Sequence, residues 1–216
     1  MEDKFFDPDS WIMVFLSRVG DLMIANLLWL VTSLPFITLG ASTTALYTVV
    51  KKPGEKRYTS SIVKNYFKAF GKNFKKATLE FLIMLVLTVL VLADLYILVF
   101  GLMGDSAVRY VLCAVPVLLL LCAWSWIFPL TASFENSLWR TIGNAYTLAV
   151  AHLPTTIALT VLNLLPVLVL LFFTEYFYKG LMLWALLGFA LIAKVDSLLL
   201  ERVFRKYIPA APREDA

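Results

Sequence analysis

Five apolar segments, each about twenty residues long, dominate the pattern of hydrophobic and polar positions along this chain. They cover residues 19–39, 79–101, 110–130, 153–173 and 181–200. A helix needs about 20 residues to cross a hydrocarbon core roughly 30 Å thick, and it satisfies its own backbone polar groups there. The pattern predicts an all-α integral membrane bundle of about five transmembrane helices.

A different pattern occupies residues 61–76, where apolar side chains recur at helical spacing. Lys64, Lys68 and Lys72 form a stripe on the opposite face, and Lys75 and Lys76 follow. A basic amphipathic helix of this kind lies in the membrane interface with its lysines toward anionic headgroups. We predict a cytoplasmic amphipathic helix whose lysines bind lipid or, alternatively, a cytoplasmic partner. Nucleic acid is not required to explain this charge.

The first apolar segment ends in a broken pattern around Pro35 and Gly40. Pro35 removes one backbone hydrogen bond, and Gly40 with the small residues after it allows close helix packing. One interpretation is a kinked span end followed by a short capped helix that runs to residue 50. Another is a discontinuous helix of the kind that binds solutes in carriers. Residues 36–50 could also return across the membrane as a sixth crossing, although fifteen residues are few for that.

The distribution of basic residues predicts the orientation. Nine of the 19 lysines and arginines lie between the first two apolar segments, and such residues accumulate in cytoplasmic loops. Five crossings then place the amino terminus outside and the carboxyl terminus in the cytoplasm. A sixth crossing by residues 36–50 would place the amino terminus inside.

Composition agrees with a membrane protein. Hydrophobic residues make up 61% of the chain and the mean hydropathy is +0.82, whereas soluble domains are about half apolar. The 216 residues leave no room for a separate catalytic domain beside the spans. We therefore expect residues 1–216 to form a single membrane domain.

Signatures of soluble enzymes are missing from the sequence. There is no phosphate-binding glycine loop, no dinucleotide fingerprint, no paired histidines for zinc and no nucleophile elbow. His152 stands at the start of the fourth apolar segment, where an interfacial role is expected. Cys113 and Cys122 fall on opposite sides of one helix, so they cannot bridge each other. We expect no enzymatic activity, no cofactor and no metal site.

Polar residues inside the apolar segments are the best candidates for a functional site, because an ionised side chain in the membrane costs at least about 2.5 kcal/mol. Asp94 and Lys194 fall at similar depths and lean toward each other, and Asn26 and Asn163 could complete a polar cluster. Asp196 points to a different face from Lys194. The alternative is that Lys194 snorkels to the surface and Asp94 meets water, so that no pair forms.

Several blocks of sequence resemble the YesL-like family of bacterial integral membrane proteins. They are residues 26–30 (Asn-Leu-Leu-Trp-Leu), 33–35 (Ser-Leu-Pro), 38–47, 67–70, 73–75, 141–145 and 153–156. The resemblance implies a small helical membrane protein, found mainly in Gram-positive bacteria and often encoded beside carbohydrate uptake and degradation systems. It implies no activity and no ligand residues, because none is established for the family.

These observations lead us to expect a non-enzymatic protein of the bacterial cell membrane that assists or regulates carbohydrate uptake. It would act through contact with sugar transporter subunits or with a second copy of itself. The alternative is a small membrane carrier that itself moves a solute through the polar intramembrane cluster. Copurification with transporter subunits would support the first function, and solute flux in reconstituted vesicles would support the second.

Overall fold

A computed structural model describes residues 11–51, 59–100 and 107–207, and this part of the chain is helical, with no strand in it. The first half contains α1 (Trp11–Ser33), a 3-10 turn (Phe36–Thr38), α2 (Leu39–Lys51), α3 (Thr59–Phe100) and α4 (Ala107–Ser133). The second half contains α5 (Leu138–Ala151), α6 (Leu153–Phe172), α7 (Thr174–Leu183), a π-helical segment (Trp184–Gly188) and α8 (Phe189–Phe204). The prediction of an all-α fold is confirmed.

Five helical segments are long and apolar enough to cross a membrane, as predicted. They are Trp11–Ser33, Ile62–Leu98, Tyr110–Ser133, Leu153–Phe172 and Tyr178–Phe204. The first begins at Trp11 and ends at Ser33, earlier at both ends than the apolar pattern of residues 19–39 indicated. Pro35 explains its end, since a proline disfavours helical geometry in the residue before it.

The predicted amphipathic helix and the second predicted span form one helix, α3, of 42 residues. Tyr66 and Ala69 on its apolar face are buried in the core cluster that includes Leu46 and Val50 of α2. That face therefore packs partly against protein, while Phe67 and Phe74 on the same face are exposed, so the contact with lipid headgroups stays a prediction. The opposite face is exposed and carries four of the five lysines, Lys64, Lys68, Lys72 and Lys75, while Lys76 is half-buried.

The short helix α2 lies in the middle of the bundle. Eight of its 13 residues are buried, and it contacts α1, α3, α4 and α8. Gly40 makes the contact with α3 possible: a Cβ atom on Gly40 would lie 2.2 Å from the Ala77 carbonyl oxygen and 2.7 Å from Cβ of Phe81. The close packing predicted for Gly40 is therefore present, between α2 and α3.

The relative directions of the helices follow from pairs of contacts. Only a short turn separates α1 from α2, and the indole nitrogen of Trp29 donates to the Thr43 hydroxyl across it, so α1 and α2 are antiparallel. Since α2 runs parallel to α8, as the next contacts show, α1 is antiparallel to α8. The Tyr47–Asp196 and Lys51–Phe204 contacts show that α2 runs parallel to α8. Residues 36–51 thus return through the bundle beside α1.

Candidate functional site

A cleft of about 320 Å³ opens among α1, α2, α4, α6 and α8. Its walls carry five aromatic rings, those of Trp29, Tyr47, Trp124, Phe128 and Phe189. Trp29 and Phe189 hold each other in place, with ring centroids 4.2 Å apart, and Trp124 packs against Phe128 with centroids 5.7 Å apart. The rings therefore present a fixed apolar surface to the cleft.

Hydroxyl and amide groups interrupt this aromatic lining. Ser125 and Thr160 share a hydrogen bond of 3.0 Å between their hydroxyl oxygens. Thr43 accepts a hydrogen bond of 3.1 Å from the indole nitrogen of Trp29. Tyr47 and Asn163 also line the cleft. A molecule in the cleft would meet flat apolar faces together with groups that both donate and accept hydrogen bonds.

Asp196 lies directly behind this wall. Its carboxyl group is fully buried, and its Oδ2 accepts hydrogen bonds from the Tyr47 hydroxyl at 2.7 Å and from Nδ2 of Asn163 at 2.9 Å. Three helices, α2, α6 and α8, therefore meet at one carboxylate oxygen. The other oxygen, Oδ1, is buried and has no hydrogen-bond partner within the described part of the chain.

The predicted cluster of Asp94, Lys194, Asn26 and Asn163 does not form as expected. Lys194 donates a hydrogen bond of 2.7 Å to the carbonyl oxygen of Val50, at the end of α2, where a cation also meets the negative end of the helix dipole. Asp94 is exposed on α3 and makes no ion pair with Lys194. Asn163 belongs to the Asp196 group instead. The proposed Asp94–Lys194 pair is therefore wrong.

Asn26 serves the π-helical segment. This fully buried residue donates from Nδ2 to the carbonyl oxygen of Ala185 at 2.6 Å and accepts from the amide nitrogen of Ala190 at 2.8 Å. In a π-helix, backbone hydrogen bonds connect residues five positions apart. The Ala185 carbonyl and the Ala190 amide are five positions apart, and the Asn26 side chain bonds to both. Its role is to join α1 to the segment that leads into α8.

A second buried acid, Glu80, lies at the α3–α4 contact. Its Oε2 accepts a hydrogen bond of 2.7 Å from Thr131, and its Oε1 is 3.7 Å from Nζ of Lys76. One turn earlier on the exposed face of α3, Lys72 forms an ion pair with Glu135. The hydrogen bond that Lys72 donates to Glu135 and the positive charge of Lys72 both lower the pKa of Glu135. Two of the five predicted lipid-binding lysines thus have partners within the protein.

The remaining polar candidates have structural partners. His152 lies 3.2 Å from the Tyr207 hydroxyl at the junction of α5 and α6, which fits the predicted interfacial role. Cys113 and Cys122 are free thiols. The part of the chain that the structure describes contains no group of three or more His, Cys, Asp or Glu side chains that could hold a metal ion.

Sequence reasoning missed the main polar site. Asp196 was placed correctly away from Lys194, but its partner Tyr47 lies in a segment without the hydropathy of a span. Tyrosine among small residues on a 13-residue helix gives no periodic signal of an intramembrane partner. The one available signal was the buried acid itself, since an acid within a span is rare unless it is paired or functional.

Comparison with known proteins adds one match. Residues 22–95 match the family model described as "Protein of unknown function, DUF624". This stretch contains Asn26, Gly40 and Tyr47 but neither Asn163 nor Asp196, and it covers less than half of the chain. No curated protein matches the chain, and no solved structure matches it.

Proposed function

We propose that this protein is a small, non-enzymatic membrane carrier that binds a neutral, hydroxyl-bearing solute, such as a monosaccharide, in the cleft. The observation that supports this proposal is the cleft itself, about 320 Å³ in volume within a bundle of membrane helices. Small-molecule sites are concave, mostly apolar and supplied with a few polar groups, and they begin at about 300 Å³. The lining residues include no charged side chain, which favours a neutral solute.

The chemistry of the lining favours a sugar over an apolar molecule. A sugar ring has C–H faces, which pack on flat aromatic surfaces such as those of Trp29 and Trp124. Its hydroxyl groups donate and accept hydrogen bonds, as do the hydroxyls of Ser125 and Thr160. A purely apolar solute would leave these hydroxyl groups facing a molecule that cannot bond to them.

The sequence alone favoured a protein that assists a transporter, and carriage was the alternative. We now prefer the carrier because an internal cleft serves solute binding, whereas a protein that only contacts a transporter needs none. The DUF624 match is compatible with the resemblance to the YesL-like family, and we propose that membership together with a place in the bacterial cell membrane. Neither family supplies an activity.

We further propose that both termini lie in the cytoplasm, in place of the external amino terminus expected from five crossings. The antiparallel arrangement of α1 and α8 supports this orientation, because α1 then begins on the side where α8 ends. Under this arrangement the basic loop after α2 and the basic residues after α8 share one side. Arg109 and Lys179 fall on the other side. Most basic residues then lie on the cytoplasmic side, as the positive-inside rule requires. Reporter fusions that place the amino terminus outside would contradict it.

Uptake by the purified protein in sealed liposomes tests the carrier proposal. Radiolabelled D-glucose, D-galactose and D-xylose serve as probes, with a labelled amino acid for comparison. We expect saturable uptake of at least one sugar above that of empty liposomes. Absence of uptake for every sugar, with the protein correctly folded and inserted, would overturn the proposal. Copurification with transporter subunits in that case would favour the assisting function.

A matched pair of substitutions connects any uptake to the cleft. Thr160→Val removes one hydroxyl from the cleft and keeps the shape of the side chain, so we expect weaker sugar binding. Thr147→Val makes the same change on the exposed face of α5, where the hydroxyl bonds only to its own helix, and should leave uptake unchanged. Equal uptake by the two variants would show that the cleft is not the site.

A further inference from the structure

The carboxyl group of Asp196 is only half-satisfied, and unlike Glu80, which has Lys76 at 3.7 Å, it has no cation beside it among the described ion pairs. One carboxylate oxygen is saturated, with hydrogen bonds from Tyr47 and Asn163, and the other is buried without a partner. Buried polar atoms are normally hydrogen-bonded, and an unpaired one costs about 1–3 kcal/mol, more when it is charged. The unpartnered Oδ1 of Asp196 therefore calls for a functional explanation.

The cations on the neighbouring helices do not neutralise Asp196. On α8 itself, the Lys194 ammonium group is bonded to the Val50 carbonyl. On α2, the ammonium group of Lys51 is bonded to the Ser133 hydroxyl. Arg18 of α1 is exposed. On α8 and α1 respectively, Glu201 and Asp21 are acids and would add negative charge.

The partners of α2 and α6 are both hydrogen donors to Oδ2, namely the Tyr47 hydroxyl and the Asn163 amide, and Asp196 forms no ion pair within the described part of the chain. An ionised Asp196 would thus be a buried anion without a countercharge, which is costly inside a membrane. A proton on Oδ1 removes that charge and leaves both hydrogen bonds to Oδ2 in place.

A metal ion would neutralise Asp196 less well than a proton. Hard cations require several oxygen ligands around them, whereas the groups that meet Asp196 present hydrogens to it. No second acid or histidine stands close enough to form a metal-binding group in the described residues. The geometry suits a proton, which needs a single oxygen atom.

The Asp196 group also touches the cleft. Tyr47 and Asn163 line the cleft and are both bonded to Oδ2, so a solute that moves either side chain alters the hydrogen bonds that stabilise the ionised form. Resting on the carrier function proposed above, we propose that Asp196 binds and releases one proton during each transport cycle and thereby couples solute movement to a proton gradient. A proton from water adds to Oδ1 to give the carboxylic acid, and it returns to water on release.

Infrared spectroscopy of the protein in lipid tests the proton site without any solute. Above about pH 5, where exposed Asp and Glu side chains are ionised, we expect a carbonyl band from a protonated carboxylic acid that disappears as the pH rises further and that is missing over the same range in Asp196→Asn. The asparagine resembles the neutral acid and retains an acceptor for Tyr47, so the fold should persist. Glu80→Gln removes the other buried acid as a control and should keep the band. A band that is unchanged in Asp196→Asn, or that never titrates, would overturn the proposal.

Coupling is then measured in liposomes with D-glucose as the probe and a pH-sensitive dye inside. With one proton per sugar, a gradient of one pH unit should accumulate the sugar about tenfold, because one unit is a factor of ten in proton concentration. Asp196→Asn should lose accumulation and sugar-driven proton entry. Sugar uptake that ignores the gradient would refute coupling while the carrier function survives. A titrating Asp196 band without any sugar uptake would refute the carrier function while the proton site stands.

Discussion

The bond between Asn26 and the π-helical segment makes a strong prediction about stability. Replacing Asn26 with Leu keeps a similar side-chain volume but removes the hydrogen bonds of 2.6 Å to Ala185 and 2.8 Å to Ala190. Both backbone groups then lose this partner, at a place where Asn26 and Ala190 are fully buried and Ala185 is half-buried. Lipid offers no hydrogen bond to replace either one.

The expected loss follows from these two bonds. An unsatisfied buried group costs about 1–3 kcal/mol, whereas hydrogen bonds between membrane helices average about 0.6 kcal/mol in double-mutant cycles, because the opened state finds other partners. Backbone groups held in a π segment have few alternatives. We therefore expect Asn26→Leu to lower the free energy of unfolding by about 2–4 kcal/mol, above the membrane average.

Reversible unfolding in mixed micelles measures this loss. Asn73→Leu is the matched control, since the Asn73 amide bonds only to the carbonyl of Ala69 in its own helix, and it should change stability by less than about 0.5 kcal/mol. If Asn26→Leu costs no more than Asn73→Leu, the π segment has relaxed into a regular helix. The reasoning about the Asn26 bridge would then be wrong.

Two further predictions concern the contacts of α3. Gly40→Ala should destabilise the protein by at least about 2 kcal/mol, because its Cβ would overlap the Ala77 carbonyl oxygen; Gly71→Ala, with nothing within 4 Å, should be neutral or stabilising by the same unfolding assay. The pKa of Glu135, lowered by Lys72, should return to its ordinary value in Lys72→Gln when followed by NMR of the carboxyl carbon. Because the folded-state pKa is the lower one, the ion pair contributes above the ordinary carboxyl pKa and is lost as pH falls through the lowered value. An unchanged Glu135 titration in Lys72→Gln would contradict this pair.

The membrane helices could be predicted because lipid selects for long apolar segments. Residues 153–173, for example, match α6 almost residue for residue. The same criterion does not select α2, since a helix surrounded by protein can use Gly40, Ser42 and Thr44 where a lipid-facing helix needs large apolar side chains. Hydropathy reports contact with lipid and is silent about helices buried inside a bundle.

The polar contacts were harder to predict, because the sequence does not determine how each helix is rotated about its own axis. Depth along each helix suggested that Asp94 and Lys194 could meet, but depth does not determine the direction in which a helix face points. The π segment before α8 adds to the difficulty, because an i to i+5 pattern rotates every later residue relative to a regular helix. Asp196 consequently faces Tyr47 and Asn163, a combination that no spacing in the sequence indicates.

The burial of α2 has a consequence for how the chain is made. Five of its 13 residues, Ser42, Thr43, Thr44, Tyr47 and Thr48, carry hydroxyl groups, and helices with this composition gain little from transfer into lipid. Three of the helices that cover α2, namely α3, α4 and α8, are synthesised after it. During translation α2 therefore leaves the ribosome before the surfaces that stabilise it exist. With both termini in the cytoplasm, as proposed, we expect α2 to insert as a hairpin with α1 and to reach its final position only after α8 has been made.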